Sequence, residues 1–270
     1  MQKIKDNAGI TILVLISYVI MIVMNILAEA LPINGISTGE ISDHYANLFA
    51  PAGITFAIWG LIYLLLLGYT IYQLIYFSGE SDIKKQLFNK LGILFSISCA
   101  ANALWMLAWH YEIIWLSFLL ILAILICLIK INLIMRDSTF SVMENITVKL
   151  PFTVYLGWIT IATIANATTF LVSVKWDRWS FSEVFWTNII IIVGAVIGFT
   201  GVLFYKSFAY GCVLIWAYLG IALKHLSPKA FAGKYPSIIV TVFIAVAIII
   251  LSQIILVYTR VKRKKELSSD

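Results

Sequence analysis

The sequence predicts an all-α, polytopic transmembrane helical bundle of about eight spans. Three observations carry that prediction. Of 270 residues, 62% are hydrophobic and 12% charged, against about 45–50% and about 25% in soluble domains, which excludes a water-soluble globule. The apolar residues come in runs of about 20, the length that crosses a bilayer core as a helix. The charged residues gather mostly between and after those runs. With five Pro and fifteen Gly in the whole chain, little is left for low-complexity or disordered segments.

In order, the runs fall at 9–31, 51–77, 88–109, 113–135, 150–173, 187–205, 207–223 and 236–259. The first reads as a retained span: Ile10 to Leu27 is longer than the usual apolar stretch of a signal peptide, although Ala28-Glu29-Ala30 imitates a cleavage site. Pro51 opens the second run at a helix's first position, where a missing N–H costs nothing. A single helix from Asn89 to Ile129 would measure about 60 Å, twice a bilayer, so His110-Tyr111-Glu112 is read as the turn of a hairpin. The same arithmetic cuts 187–223 at Lys206-Ser207.

Charge placement then orients the bundle. If the connectors alternate across the membrane, those on the side of the N-terminus, taken with Lys90 and Lys130 of the adjoining runs, carry fourteen Lys and Arg and the others five, so both termini are expected in the cytoplasm. Arg260, Lys262, Arg263, Lys264 and Lys265 form a basic tail suited to anionic lipid. That tail explains much of the net charge of +6 without nucleic acid as a partner. Cys99, Cys127 and Cys212 lie inside apolar runs and read as small buried hydrophobes. His44, His110 and His225 fall in connectors or at span ends and read as surface residues.

Polar groups at membrane depth are costly and mark the places to look for function. Asn25 and Glu29 share one face near the end of the first span. Asn25 as a tie between helices and Glu29 in the headgroups is the simpler reading; a lid or relay role is the sharper one, shared with Asp43 and Phe49 in the next connector. That connector, 32–50, holds an Asn34-Gly35 turn signal, a polar run Ser37-Thr38-Gly39-Glu40 and no basic residue. It is a candidate lid or a solvated linker. Trp59 and Tyr63 stand at i and i+4, Asn102, Trp105 and Trp109 at i, i+3 and i+7, and Trp158, Ala162 and Asn166 at i, i+4 and i+8. Three helices therefore present aromatics on one face, and two add an amide. A Trp in a span is often an interfacial anchor, but these lie inside their runs. An aromatic-lined cavity with a few amides suits a flat hydrophobic ligand.

With these residues in this order, the chain resembles the translocator protein/tryptophan-rich sensory protein (TspO/MBR) family over about residues 1–173. The motifs are Pro51 followed eight residues on by Trp59 and then Tyr63, Asn102-Ala103-Leu104-Trp105, and Trp158 with Ala162, Thr163 and Asn166. Two departures lie near the expected ligand mouth: the family's Trp/Pro-rich approach to the second span is reduced to Leu48-Phe49-Ala50-Pro51-Ala52-Gly53, and the Pro ahead of Trp158 is displaced to Pro151. The resemblance implies a five-helix core over 1–173 with lid loop 32–50, and an accessory three-span unit with the basic cytoplasmic tail over 174–270. It implies porphyrins or other tetrapyrroles as ligands, haem included, with no cofactor required. The ligand-binding residues it implies are Trp59, Tyr63, Asn102, Trp105, Trp109, Trp158, Ala162 and Asn166.

Three functional readings follow. The leading one is a binding or sensory protein of a bacterial plasma membrane, with the lipid bilayer and a hydrophobic small molecule as partners and homodimerisation left open. The second is a secondary transporter of a small hydrophobic or amphipathic solute, with Asn25, Glu29, Asn102 and Asn166 as relay groups, though no inverted repeat is visible. The third, an enzyme, is the least supported: the sequence carries no metal spacing, nucleophile–base pair or nucleotide fingerprint, so no catalytic residue is assigned.

Overall fold

The computed structural model describes residues 2–30, 33–76 and 82–267, all helix, turn or connector without a strand. Leu31 and Pro32, at the head of the expected lid loop, and the last three residues of the basic tail lie outside the described residues. The helices are α1 (Gln2–Ala30), α2 (Thr38–His44), α3 (Ile58–Tyr76), α4 (Asp82–His110), α5 (Ile114–Arg136), the single turn α6 (Val142–Glu144), α7 (Leu150–Ser173), α8 (Glu183–Phe204), α9 (Phe208–Leu226) and α10 (Pro236–Leu267). Eight of the helical segments are long and apolar enough to cross a membrane. Both length-based cuts hold. Glu112 (φ 53°) turns the chain between α4 and α5, and Lys206 (φ 50°) turns it between α8 and α9. A left-handed residue just past a helix end is the ordinary way to stop one helix and aim the next.

Pro151 has a local consequence. It lacks an N–H and its ring crowds the carbonyl four residues back. The turn before it, Asn145–Lys149, is widened to a π-helix, which relieves that crowding while the helix continues from Val142 to Ser173.

The chain divides into two compact units, Met1–Ala46 with Ala57–Val174, and Asn47–Phe56 with Lys175–Asp270. In the first, α4 packs between α1 and α5, and α7 packs on α5 and α3. Polar pairs tie these helices where no water competes: Ser17 Oγ donates to Ser96 Oγ at 3.1 Å, and Asn132 Nδ2 donates to the Phe152 carbonyl at 3.2 Å. Glu144, 1% exposed, is held by Lys84 Nζ at 2.8 Å and caps its own helix turn through Ser141.

The second unit relies on small residues for close approach. Gly198 and Gly201 of α8 lie against Leu214 and Tyr210 of α9, and a Cβ at either glycine would stand 2.8 or 2.6 Å from them. Tyr218 Oη donates to the Ile191 carbonyl at 2.9 Å. Trp176 and Trp179, ahead of α8, and Trp186 in its first turn form a surface triad with centroids 5.1–5.6 Å apart. Cys99 and Cys127 are buried, but Cys212 of α9 is exposed, with Gln253 Nε2 of α10 at 3.7 Å from its sulfur. That corrects the expectation for Cys212.

Candidate functional site

Trp59, in the first turn of α3, is the hub of an aromatic cluster in the first unit. Its ring stacks on Tyr63 at 5.4 Å and 20°, lies 6.4 Å from Trp105 of α4, and meets Tyr155 and Trp158 of α7 edge-on at 5.9 and 6.1 Å. Trp105 in turn stacks on Trp109 at 5.6 Å. At these separations the rings are in mutual contact. The cause is the helical spacing seen in the sequence: one turn separates the members on each helix, so three stripes meet in one cage. Trp158 is 2% exposed, Trp109 5% and Trp105 6%, so none of them is an interfacial anchor. Trp59 and Tyr63 are half-buried.

A hydrogen-bonded chain runs beside the rings. Tyr63 Oη donates to Asn25 Oδ1 at 2.5 Å, Asn25 Nδ2 donates to Asn102 Oδ1 at 2.8 Å, and Asn102 Nδ2 donates to Tyr155 Oη at 3.3 Å. Four helices are thereby joined by groups that would otherwise be unsatisfied in hydrocarbon. The indole N–H of Trp105 is buried and has no hydrogen-bond partner among the described residues, which leaves a donor in the cage for a ligand.

The connector forms a roof on α4. Ser37 and Glu40 make a capping box that starts α2. Trp109 Nε1 donates to the Thr38 carbonyl at 3.1 Å, Asn34 Nδ2 to the His110 carbonyl at 3.1 Å, and Tyr45 Oη to Glu112 Oε2 at 2.9 Å. The Ser37 hydroxyl and N–H hold the Glu40 carboxyl below the usual carboxylate range. Burial, and then the bond to Glu112, push the Tyr45 phenol above its ordinary value. The signs follow: the Glu40 contribution is lost as pH falls through its lowered value, and that of Tyr45 as pH rises beyond its raised one, so neither loosens the roof near neutrality.

Not every expected residue joins the cage. Asn166 Oδ1 accepts from Ser117 Oγ at 3.2 Å and so bridges α7 to α5. Ala162 is half-buried one turn beyond Trp158. Glu29 and Asp43 are exposed, whereas Asn25 is 4% exposed and central to the amide chain. Phe49, 1% exposed, is grouped with the C-terminal unit. The histidine expectation needs correction: His110 and His225 are fully buried. His110 Nδ1 lies 2.8 Å from the Met106 carbonyl, and His225 Nε2 donates to the Leu48 carbonyl at 2.8 Å. Tyr155 is the cage residue that the sequence reading missed, although it stands three before Trp158 and extends the same stripe. Among the described residues no group of three or more His, Cys, Asp or Glu could hold a metal ion.

The bridging geometry makes a prediction. Asn166→Leu should lower thermal stability by about 1 kcal/mol, through the lost α5–α7 bond, and leave ligand affinity within about twofold. A melting curve and a binding titration on the same preparation separate the two effects; a tenfold loss of affinity with unchanged stability would return Asn166 to the ligand.

A family model described as TSPO-like protein matches residues 11–256. The match passes residue 173 and reaches into all three of the last spans. No curated protein and no solved structure matches the chain.

Proposed function

The chain belongs to the TSPO-like family, and from that premise we propose that it binds, and through binding senses, a planar hydrophobic ligand such as a porphyrin or another tetrapyrrole. It is an integral membrane protein, with eight apolar helices of spanning length among the described residues. The observation that carries the reading is the ring of Trp59, which meets aromatics from three helices beside the unpartnered N–H of Trp105. A flat macrocycle would take up the aromatic faces, and a carboxylate or ring nitrogen would accept from the indole. Because the rings already touch, binding has to part at least one pair. Trp59, the least buried of the four cage tryptophans, is the one with room to turn.

The roof supplies the gate in this reading, since Trp109 belongs to the cage and also donates to Thr38. With both termini cytoplasmic, as the charge asymmetry favours, roof and cage mouth face away from the cytoplasm.

Protoporphyrin titrated into the purified protein should quench tryptophan emission saturably, with one site per chain. Glu112→Ala, which removes the acceptor for Tyr45, should speed dissociation about three- to tenfold while the cage itself stays intact. Absence of saturable quenching in the unaltered protein would sink the proposal.

A further inference from the structure

We propose that the last three spans act on the ligand cage, by gripping the segment that leads into its central tryptophan and so making α9 a positioning element of the site. The proposal rests on the reading of Trp59 as a ligand contact. Residues 47–56 precede α3 in the chain but group with the C-terminal unit. They are not helical until Gly53, and Asn47 to Pro51 are all buried. Non-helical backbone buried in a membrane protein needs every donor placed.

Each backbone donor from Leu48 to Ala52 has a partner. Leu48 N–H donates to Glu183 Oε1 at 3.1 Å, Phe49 and Ala50 N–H to Asn47 Oδ1 at 3.1 and 2.9 Å, and Ala52 N–H to the Gly220 carbonyl at 3.0 Å. Pro51 has no N–H to place. Two of the four donors thus depend on α8 and α9. The acceptor side repeats the pattern. The Leu48 carbonyl receives His225 Nε2 at 2.8 Å, and the Thr55 carbonyl receives Trp216 Nε1 at 3.0 Å.

Trp216 and Gly220 lie one turn apart on α9, so both bonds come from the same face. Thr55 rests on Gly220 so closely that a Cβ there would overlap its side chain. Glycine is required at 220 for that approach, and its φ plays no part in the requirement. Downstream, the 3₁₀ turn Gly53–Ala57 runs without a break into α3 at Ile58. With no slack between Thr55 and Trp59, a shift of the gripped segment is passed to the first turn of α3.

The test uses the full chain in lipid nanodiscs, with Trp216→Phe, which removes the indole N–H and trims the ring while keeping an aromatic side chain, and Gly220→Ala, which crowds Thr55. Hydrogen–deuterium exchange is read on peptides covering residues 47–56, 58–66 and 237–250, and protoporphyrin affinity is measured on the same samples. Both variants should raise exchange at 58–66 about three- to tenfold, leave 237–250 unchanged, and weaken protoporphyrin by a similar factor. Thr55→Ala in the Gly220→Ala background should restore part of each. If Gly220→Ala does not fold, Trp216→Phe alone decides. Faster exchange confined to 47–56, with 58–66 and affinity unchanged, would overturn the proposal, as would no change anywhere. Faster exchange at 58–66 in a protein that does not bind protoporphyrin would support the positioning role and remove the porphyrin reading instead.

Discussion

Trp59→Leu should weaken protoporphyrin binding about tenfold, more than any other single aromatic change in the chain. Leu keeps apolar volume and loses the π face, whose stacking is worth about 0.5–1.5 kcal/mol beyond burial, or about three- to tenfold in affinity. Trp59 belongs at the upper end because its ring touches Tyr63, Trp105, Tyr155 and Trp158, so its loss also frees their positions. Trp158→Leu belongs at the lower end, because its ring meets Trp59 edge-on rather than face to face. Trp115 is 57% exposed, and Trp115→Leu serves as the control with no effect. Unchanged affinity across the Trp59, Trp105 and Trp158 variants would leave these residues as packing alone.

The second large effect concerns stability. Asn102 is fully buried, accepts from Asn25 and donates to Tyr155. Interhelical hydrogen bonds in bilayers average about 0.6 kcal/mol and reach about 1.7. Asn102→Leu removes two and strands a donor on Asn25, so a loss of about 1–3 kcal/mol is expected in detergent-titrated unfolding. The pair Asn25→Leu with Asn102→Leu should cost less than the sum of the single changes, because the second replacement removes the group the first left unpaired. Additive costs would show that the two amides do not act through each other.

What could be read in advance was local or periodic. Helical spacing placed Trp59 and Tyr63, then Trp105 and Trp109, on shared faces, and the three stripes do converge on Trp59. The roof was legible in part, because Ser37 and Glu40 are a capping pair at a fixed offset. Depth in the membrane identified Asn25 as significant but could not choose its partner. Asn166 shows the limit of periodicity: it continues the Trp158 stripe at i+8, yet a helix turns 100° per residue and eight residues carry the side chain about 80° round, enough for it to meet Ser117 of α5. His110 and His225 were misread because position near a span end says nothing about what folds over it. The hold on Leu48 by Glu183 and His225 joins residues 135 and 177 positions apart, and no local pattern announces a contact at such range.

The surface triad of Trp176, Trp179 and Trp186 has an optical consequence. Indoles packed at 5.1–5.6 Å and steeply inclined couple their transitions and exchange excitation, so the triad emits as a unit and imprints an exciton pattern on the near-ultraviolet dichroism. Of nine tryptophans in the chain, Trp59, Trp105, Trp109 and Trp158 are in the cage, while the triad, Trp115 and Trp216 are not. Intrinsic emission is therefore a mixture in which the cage supplies a minority of the chromophores. Replacing the triad by phenylalanine would turn the protein into its own reporter: the remaining signal would come mainly from the four rings the ligand is expected to touch.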